Sequence, residues 1–356
     1  MPLTSGRSHS SERLQGWKAA IHEYVKLVNQ AEIKLDAGVL KGLVSDREHL
    51  SRYARKLERL YDREQARYAW MRRNETKAQP VRVNESAHEA TVMLRLNQRR
   101  SLDQLGLGYV EERSEYERLW LQEQQGQWEV VRIEPMVLER RPRFGAYAGA
   151  GMTYEEEHGQ RRAGSPGMRT QPFVNHDLVM PLTTRTPVQR YRRDRAVAYA
   201  DNWWNRANPD YEEFEVNCTN YVSQCLFAGG APMNYTGRRE SGWWYKGRDN
   251  GKEWWSYSWA VSHALQALFA TPRSEGLRGI LVERPEQLEL GDVILYDWSG
   301  DGRYQHSTIV TAFDADRMPL VNANTVASRH RYWDYRDSYA WTEATRYRLV
   351  HLEEEF

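Results

Sequence analysis

The stretch Asn217-Cys218-Thr219-Asn220-Tyr221-Val222-Ser223-Gln224-Cys225-Leu226-Phe227-Ala228-Gly229-Gly230 decides how the C-terminal half of the chain folds. Cys218, Tyr221, Val222, Cys225 and Leu226 recur at the spacing of one face of an amphipathic helix. Gly229 and Gly230, with Pro232 beyond them, supply a stop signal. The helix therefore begins at Cys218, with Asn217 where an N-cap residue is expected. A thiol in the first turn feels the positive end of the helix dipole, which raises its thiolate fraction at neutral pH. A cysteine on an apolar helix face is equally at home as core filling, and Cys225 reads that way. For Cys218 the spacing leaves both readings open.

Around this helix the chain from residue 190 alternates helices and short strands. Arg195-Ala196-Val197-Ala198-Tyr199-Ala200-Asp201-Asn202-Trp203 predicts a helix that ends before the turn Asn208-Pro209-Asp210-Tyr211. The Trp- and Gly-rich segment 243–259 predicts mostly loop, followed by a helix over 258–269. Residues 290–298 read as a strand, Ser299-Gly300-Asp301-Gly302 as a turn, 306–311 as the returning strand and 319–325 as a third. A helix bearing the thiol and packed on an antiparallel sheet is the economical architecture.

The first half is built differently. Leu14, Trp17, Ile21, Tyr24, Val25 and Val28 predict a helix over 11–36, and a second such pattern runs over 46–71, with a short turn near Gly38 and Gly42. Residues 91–96, 116–121 and 128–133 alternate as strands, the last two joined through Gln124-Gln125-Gly126-Gln127. The expected organisation is thus α+β: an N-terminal domain over 1–142 made of a helical hairpin and a β-meander, a Gly/Pro-rich linker or surface loop over 143–185, and a second domain over 186–356. The first domain carries no constellation of acids, histidines or glycines that performs chemistry, so protein interaction or dimerisation is the expectation for it.

Composition narrows the classes. The chain has 356 residues and balances 50 Lys+Arg against 49 Asp+Glu, so no basic excess points to nucleic acid. No run of 18 or more apolar residues is present to span a membrane, and the polar residues 1–18 show no signal peptide. A cytoplasmic protein is expected, although a chain trimmed of its leader would read the same way. The 2 cysteines lie seven positions apart, ~10 Å along a helix, too far for a disulfide.

A thiolate nucleophile needs a base within reach and a polar group to orient that base. In this half the histidines are His263, inside a predicted helix, His306, at the mouth of a predicted hairpin, His330, in a charged run, and His351, near the terminus. His306 is the candidate base, and Asn322 or Asn324 on the neighbouring strand the candidate orienting amide, alternation placing both on one face. No paired spacing of these histidines with acids or thiols makes a zinc site, and no Gly-rich phosphate loop is present, so neither metal nor cofactor is expected. Of the 14 tryptophans, Trp243, Trp244, Trp254 and Trp255 are candidates for stacking platforms along a substrate groove, the rest reading as packing.

The run Ala198-Tyr199-Ala200-Asp201, Asn208-Pro209-Asp210-Tyr211, Asn217-Cys218-Thr219-Asn220-Tyr221-Val222-Ser223-Gln224 with Gly229-Gly230, Ser258-Trp259, Gly291-Asp292-Val293, His306-Ser307-Thr308-Ile309-Val310 and Asn324-Thr325 resembles the putative amidase domain family, a branch of the papain-like cysteine hydrolases near the CHAP and NlpC-type domains. The resemblance covers about 190–350 and implies a papain-like fold with Cys218 as nucleophile, His306 as general base and Asn324 as the orienting residue. It departs from the family pattern at Asn217, where Asp is usual, and at Asn324, where His is frequent. The expected oxyanion donor is the backbone N–H of Cys218, with Asn205 or Asn208 as a second. The implied activity is hydrolysis of a peptide, isopeptide or cell-wall-derived peptide bond by a cysteine amidase, with a peptide or sugar-peptide as partner. The alternative is a catalytically silent ligand-binding module with a Trp-lined groove.

Overall fold

The computed structural model describes residues 16–140, 189–249 and 251–356, so the expected linker over 143–185 lies outside the described residues. Helix α1, Trp17–Lys34, buries Ile21, Tyr24, Val28 and Ala31 and ends at Leu35 in the left-handed region. Helix α2, Arg47–Ala66, buries Tyr53, Leu57 and Leu60. Asp46 caps it, its carboxylate accepting from the His49 N–H at 2.9 Å, a bond of a kind that contributes about 1 kcal/mol. The expected helix over 46–71 stops short because Tyr68 turns left-handed (φ 53°) and the chain enters strand β1, Ala69–Glu85.

Strands β2, Glu89–Gln104, and β3, Leu107–Gln124, extend well beyond the apolar runs that announce them. Their inward positions change from Val92, Leu94 and Leu96 to Gln98 and Arg100 on β2, and from Leu119 and Leu121 to Glu111 and Arg113 on β3. Strand β4, Gln127–Pro135, follows the predicted turn, with Gln125 and Gly126 both at positive φ as a two-residue hairpin requires. The apolar part of this layer packs on α1 and α2.

In the second half, helices α3, Arg193–Trp203, α4, Cys218–Ala228, α5, Tyr257–Ala260, and α6, Ser262–Ala270, are joined by a hairpin of β5, Tyr245–Asp249, and β6, Lys252–Trp255. That hairpin replaces the loop expected over 243–259. Strands β7, Gly279–Val282, β8, Val293–Asp297, β9, His306–Phe313, β10, Pro319–Ala323, β11, Ser328–Tyr332, and β12, Arg346–Leu352, complete the chain. Helix α4 ends where Gly229 lies so close to Tyr191 that a Cβ there would sit 2.5 Å from the ring, and Gly230 then turns at φ 93°.

The two halves share one ten-stranded sheet, ordered β1-β2-β3-β11-β10-β9-β8-β12-β7 with β4 also on β3. Ser328 pairs with Arg113 and Arg329 with Glu112, so β3 and β11 are the seam. One face of the C-terminal strands carries Val293, Leu295, Ile309 and Val350 against Tyr221, Val222, Cys225, Trp243 and Trp259. The other carries Ile294, Tyr296, Val310 and Val321 against Trp298, Tyr335 and Ala340. The fold is α+β, with every pairing between the named strands antiparallel. No helix among the described residues is long and apolar enough to cross a membrane.

Candidate active site

Cys218 is the first residue of α4, at the position the sequence predicts, but the capping differs from expectation. The Asn217 side chain makes no cap bond to the helix. Its Oδ1 accepts from the Asn220 Nδ2 at 2.9 Å and the Phe214 N–H at 3.3 Å, and its Nδ2 donates to Asn324 at 2.7 Å. The cap comes from the loop after β10: Thr325 Oγ1 accepts from the N–H of Asn217 at 2.9 Å and of Cys218 at 2.7 Å. The Cys218 N–H, expected to face an oxyanion, is therefore already bonded to Thr325.

Cys218 is 2 % exposed, its Sγ 3.8 Å from Thr219 Oγ1 and 4.0 Å from the Gln305 carbonyl. A relay of hydroxyls fixes the backbone beneath it. Thr219 Oγ1 and Ser307 Oγ are 2.9 Å apart, Ser307 donates to Ser262 at 3.0 Å, and Ser262 donates to the His306 carbonyl at 2.9 Å. Helices α4 and α6 are thereby tied to the first residues of β9.

The His306 side chain is fully buried among three aromatic rings, at 5.4 Å from Tyr296, 5.8 Å from Trp298 and 5.3 Å from Tyr335 between centroids. Among the described residues no side chain other than the neighbouring Cys218 thiol is placed to bond Nδ1 or Nε2. Burial pushes the Cys218 thiol up, but His306 beside it, helped by the Thr325 hydroxyl and the Ser307 backbone, brings it down to about 7. Cys225 has no such neighbour, and burial pushes its thiol well above the ordinary value. One thiol is prepared to ionise near neutrality and the other is not. The remaining histidines of this half lie elsewhere: His263 is exposed, His330 is 3.6 Å from Asp201, and His351 Nδ1 is 2.7 Å from Asp292.

Asn324 does not orient His306 in this arrangement. Its Nδ2 donates to the carbonyls of Trp203 at 2.9 Å, Trp204 at 3.0 Å and Arg206 at 3.2 Å, and its Oδ1 accepts from Asn217. It pins the end of α3 to the start of α4. Asn322 is equally engaged, accepting from Thr311 and from the His330 N–H while donating to Asp201. Asn208 serves its turn, accepting from the Asp210 N–H and donating to the Tyr199 hydroxyl, and Asn205 is exposed.

The tryptophans also depart from expectation. Trp243, Trp244 and Trp255 are core residues, and Trp254 is half-buried against that core under the Arg239 guanidinium. Trp243 Nε1 donates to Ser223 at 3.0 Å, and Trp259 Nε1 to Asn220 at 2.8 Å, so the indoles hold α4 from behind. Thr325 and the ring cage of Tyr296, Trp298 and Tyr335 are the site residues that sequence reasoning missed. Thr325 stood within the quoted Asn324-Thr325 pair, whereas nothing in the sequence brings Tyr335 to His306. Among the described residues no group of three or more His, Cys, Asp and Glu side chains could hold a metal ion.

The uncharacterized protein YhbB of Bacillus subtilis (strain 168) is 50 % identical over 163 residues, which is 46 % of this chain and 50 % of that protein. The chain thus spans about half the length of this curated relative. The crystal structure of the intermembrane space region of chloroplast protein ARC6 aligns with 35 % of this chain and 98 % of its own at 14 % identity and a TM-score of 0.26. Residues 190–350, the helix of Cys218 and the strand of His306 among them, match the model of the family described as a putative amidase domain.

Proposed function

We propose that the C-terminal half is a cysteine amide hydrolase in which Cys218 is the nucleophile and His306 the general acid and base. The observation that carries this reading is the juxtaposition of the Cys218 thiol at the start of α4 with the buried imidazole of His306, which lowers the thiol to about 7. The match to an amidase domain supports amide hydrolysis as the reaction class. A nucleophile helix packed on an antiparallel sheet suits the papain-like arrangement that the sequence resembles.

In the proposed reaction the Cys218 thiolate attacks the amide carbonyl carbon, and the imidazolium of His306 gives its proton to the departing amine nitrogen. Water then attacks the thioester, passing a proton to the neutral imidazole. The carboxylic acid product leaves and the thiol is regenerated, so that each turnover consumes one water. Proton transfer by such a base contributes roughly 10²–10⁴-fold. For the Cys218 N–H to serve an oxyanion, the substrate oxygen has to displace the Thr325 hydroxyl from it. The substrate class is a peptide, isopeptide or cell-wall-derived peptide bond.

The test is a panel of peptidyl amides with a chromogenic amine leaving group, with mass spectrometry of the protein during turnover. An acyl adduct on Cys218 and none on Cys225, with amine release abolished in Cys218→Ala, is expected. Amine release that persists in Cys218→Ala would refute the proposal.

A further inference from the structure

Among the described residues no amide or carboxylate orients His306 by a hydrogen bond, so packing holds its ring. Three rings do so, and two of them are anchored by the N-terminal half. Trp298 Nε1 donates to the carbonyl of Glu139 at 2.9 Å. Tyr335 is fully buried and held at φ 56°, a left-handed conformation that a non-glycine residue keeps only when its surroundings impose it. Its hydroxyl lies 3.0 Å from Ser328 Oγ, and the Arg331 guanidinium stacks on its face at 3.9 Å.

Arg331 is in turn fixed from the first half of the chain. Its Nη1 donates to Glu139 at 3.3 Å and its Nε to Asp337 at 3.1 Å. Asp337, with no solvent exposure, also receives Arg113 Nη1 of β3 at 2.5 Å and Arg63 Nη1 of α2 at 3.1 Å. Glu139 further accepts from Ser338 Oγ at 2.6 Å. The seam of the sheet lies alongside, where the Ser114 N–H donates to the Ala327 carbonyl at 2.7 Å.

We infer that the N-terminal half is an intramolecular brace for the base: Arg63, Arg113 and Glu139 fix Asp337, Arg331 and Trp298, and these seat Tyr335 and Trp298 against His306. Tyr335 is the positioning residue, taking by ring packing the place that an orienting amide would fill by hydrogen bonding. The inference rests on the reading of His306 as the base, and goes beyond it in giving the first half of the chain a role in the site.

The test is the pH profile of Cys218 alkylation by iodoacetamide in the full chain, with Cys225 read separately by mass spectrometry. Arg113→Gln, Glu139→Gln and Tyr335→Leu are each expected to move the Cys218 midpoint up by about one unit toward that of His306→Ala, a roughly tenfold loss of labelling at pH 6. Tyr335→Phe, which keeps the ring and loses only the bond to Ser328, should restore labelling to within about twofold of the parent. Parental profiles in all three variants, with a shifted one in His306→Ala, would overturn the brace and leave the base intact. A parental profile in His306→Ala would remove the base and the brace together. Should these variants fail to fold, the parent decides by NMR. The His306 Hε1 resonance, assigned by its loss in His306→Ala, is expected upfield of the other histidines from the ring currents of the cage, and a resonance among theirs contradicts the brace.

Discussion

At the level of single residues the proposed site turns on two backbone N–H bonds to the Thr325 hydroxyl and on a buried imidazole beside the Cys218 thiol. Thr325→Val keeps the shape but orphans the N–H groups of Asn217 and Cys218, so it should cost about 1–3 kcal/mol per donor in urea unfolding. It should also raise the alkylation midpoint of Cys218, because the Thr325 hydroxyl is among the groups that lower it. Thr325→Ser should restore both. That Cys218 opens a helix and His306 a strand was legible in the sequence because both are local patterns. The role of Thr325 was not, since it is made by contact with residues 107 and 108 positions away. Asn324 misled for a related reason. Alternation gives the face a side chain shares, but not that its amide is taken by the carbonyls of Trp203, Trp204 and Arg206.

At the scale of elements, α4 is held by what packs behind it. Trp243 and Trp259 are fully buried with ring centroids 4.9 Å apart, and both donate into polar side chains of α4. Trp243→Ala should cost about 3–5 kcal/mol by thermal or chaotropic unfolding, as large-to-small changes in a tight core do. The same residues show why the segment 243–259 was misread: Trp and Gly punctuate a hairpin as readily as a loop. Strand β1 went unseen because it is an edge strand, largely exposed and polar along its length. Strands β2 and β3 were cut short because their inward positions turn from apolar to charged at Gln98, Arg100, Glu111 and Arg113. A hydrophobic alternation ends there although the strand does not.

At the scale of the molecule, those buried charges are the joint between the halves. Arg113 has no exposure and pairs with Glu32 at 2.9 Å and Asp337 at 2.5 Å. Arg113→Ala leaves two carboxylates buried without it and should cost about 3–5 kcal/mol. Asp337 is held well below the usual carboxylate range, chiefly by Arg331, Arg63 and Arg113 acting against its burial. Its contribution to stability is thus present above about pH 4 and is lost as pH falls below that value. Glu117 runs the other way. Burial pushes it up to about 7 although the Tyr24 hydroxyl donates to it at 2.6 Å. A carboxyl raised by folding favours the folded state at low pH and loses that contribution as pH rises through 7, by up to about 3 kcal/mol. Glu117→Gln should therefore flatten the decline in stability between pH 5 and pH 8, which melting curves at the two values would show. The sequence divides the chain into two compositionally distinct halves, yet it carries no local mark of their union through β3 and β11, because that pairing joins strands more than 200 positions apart.

The thiolate–imidazole pair is read out by the pH dependence of Cys218 alkylation in the parent and in His306→Ala. A parental midpoint near 7 that rises when the imidazole is removed is expected, with Cys225 refractory in both proteins. A midpoint at the ordinary thiol value of about 8.5, unchanged by the substitution, would contradict it.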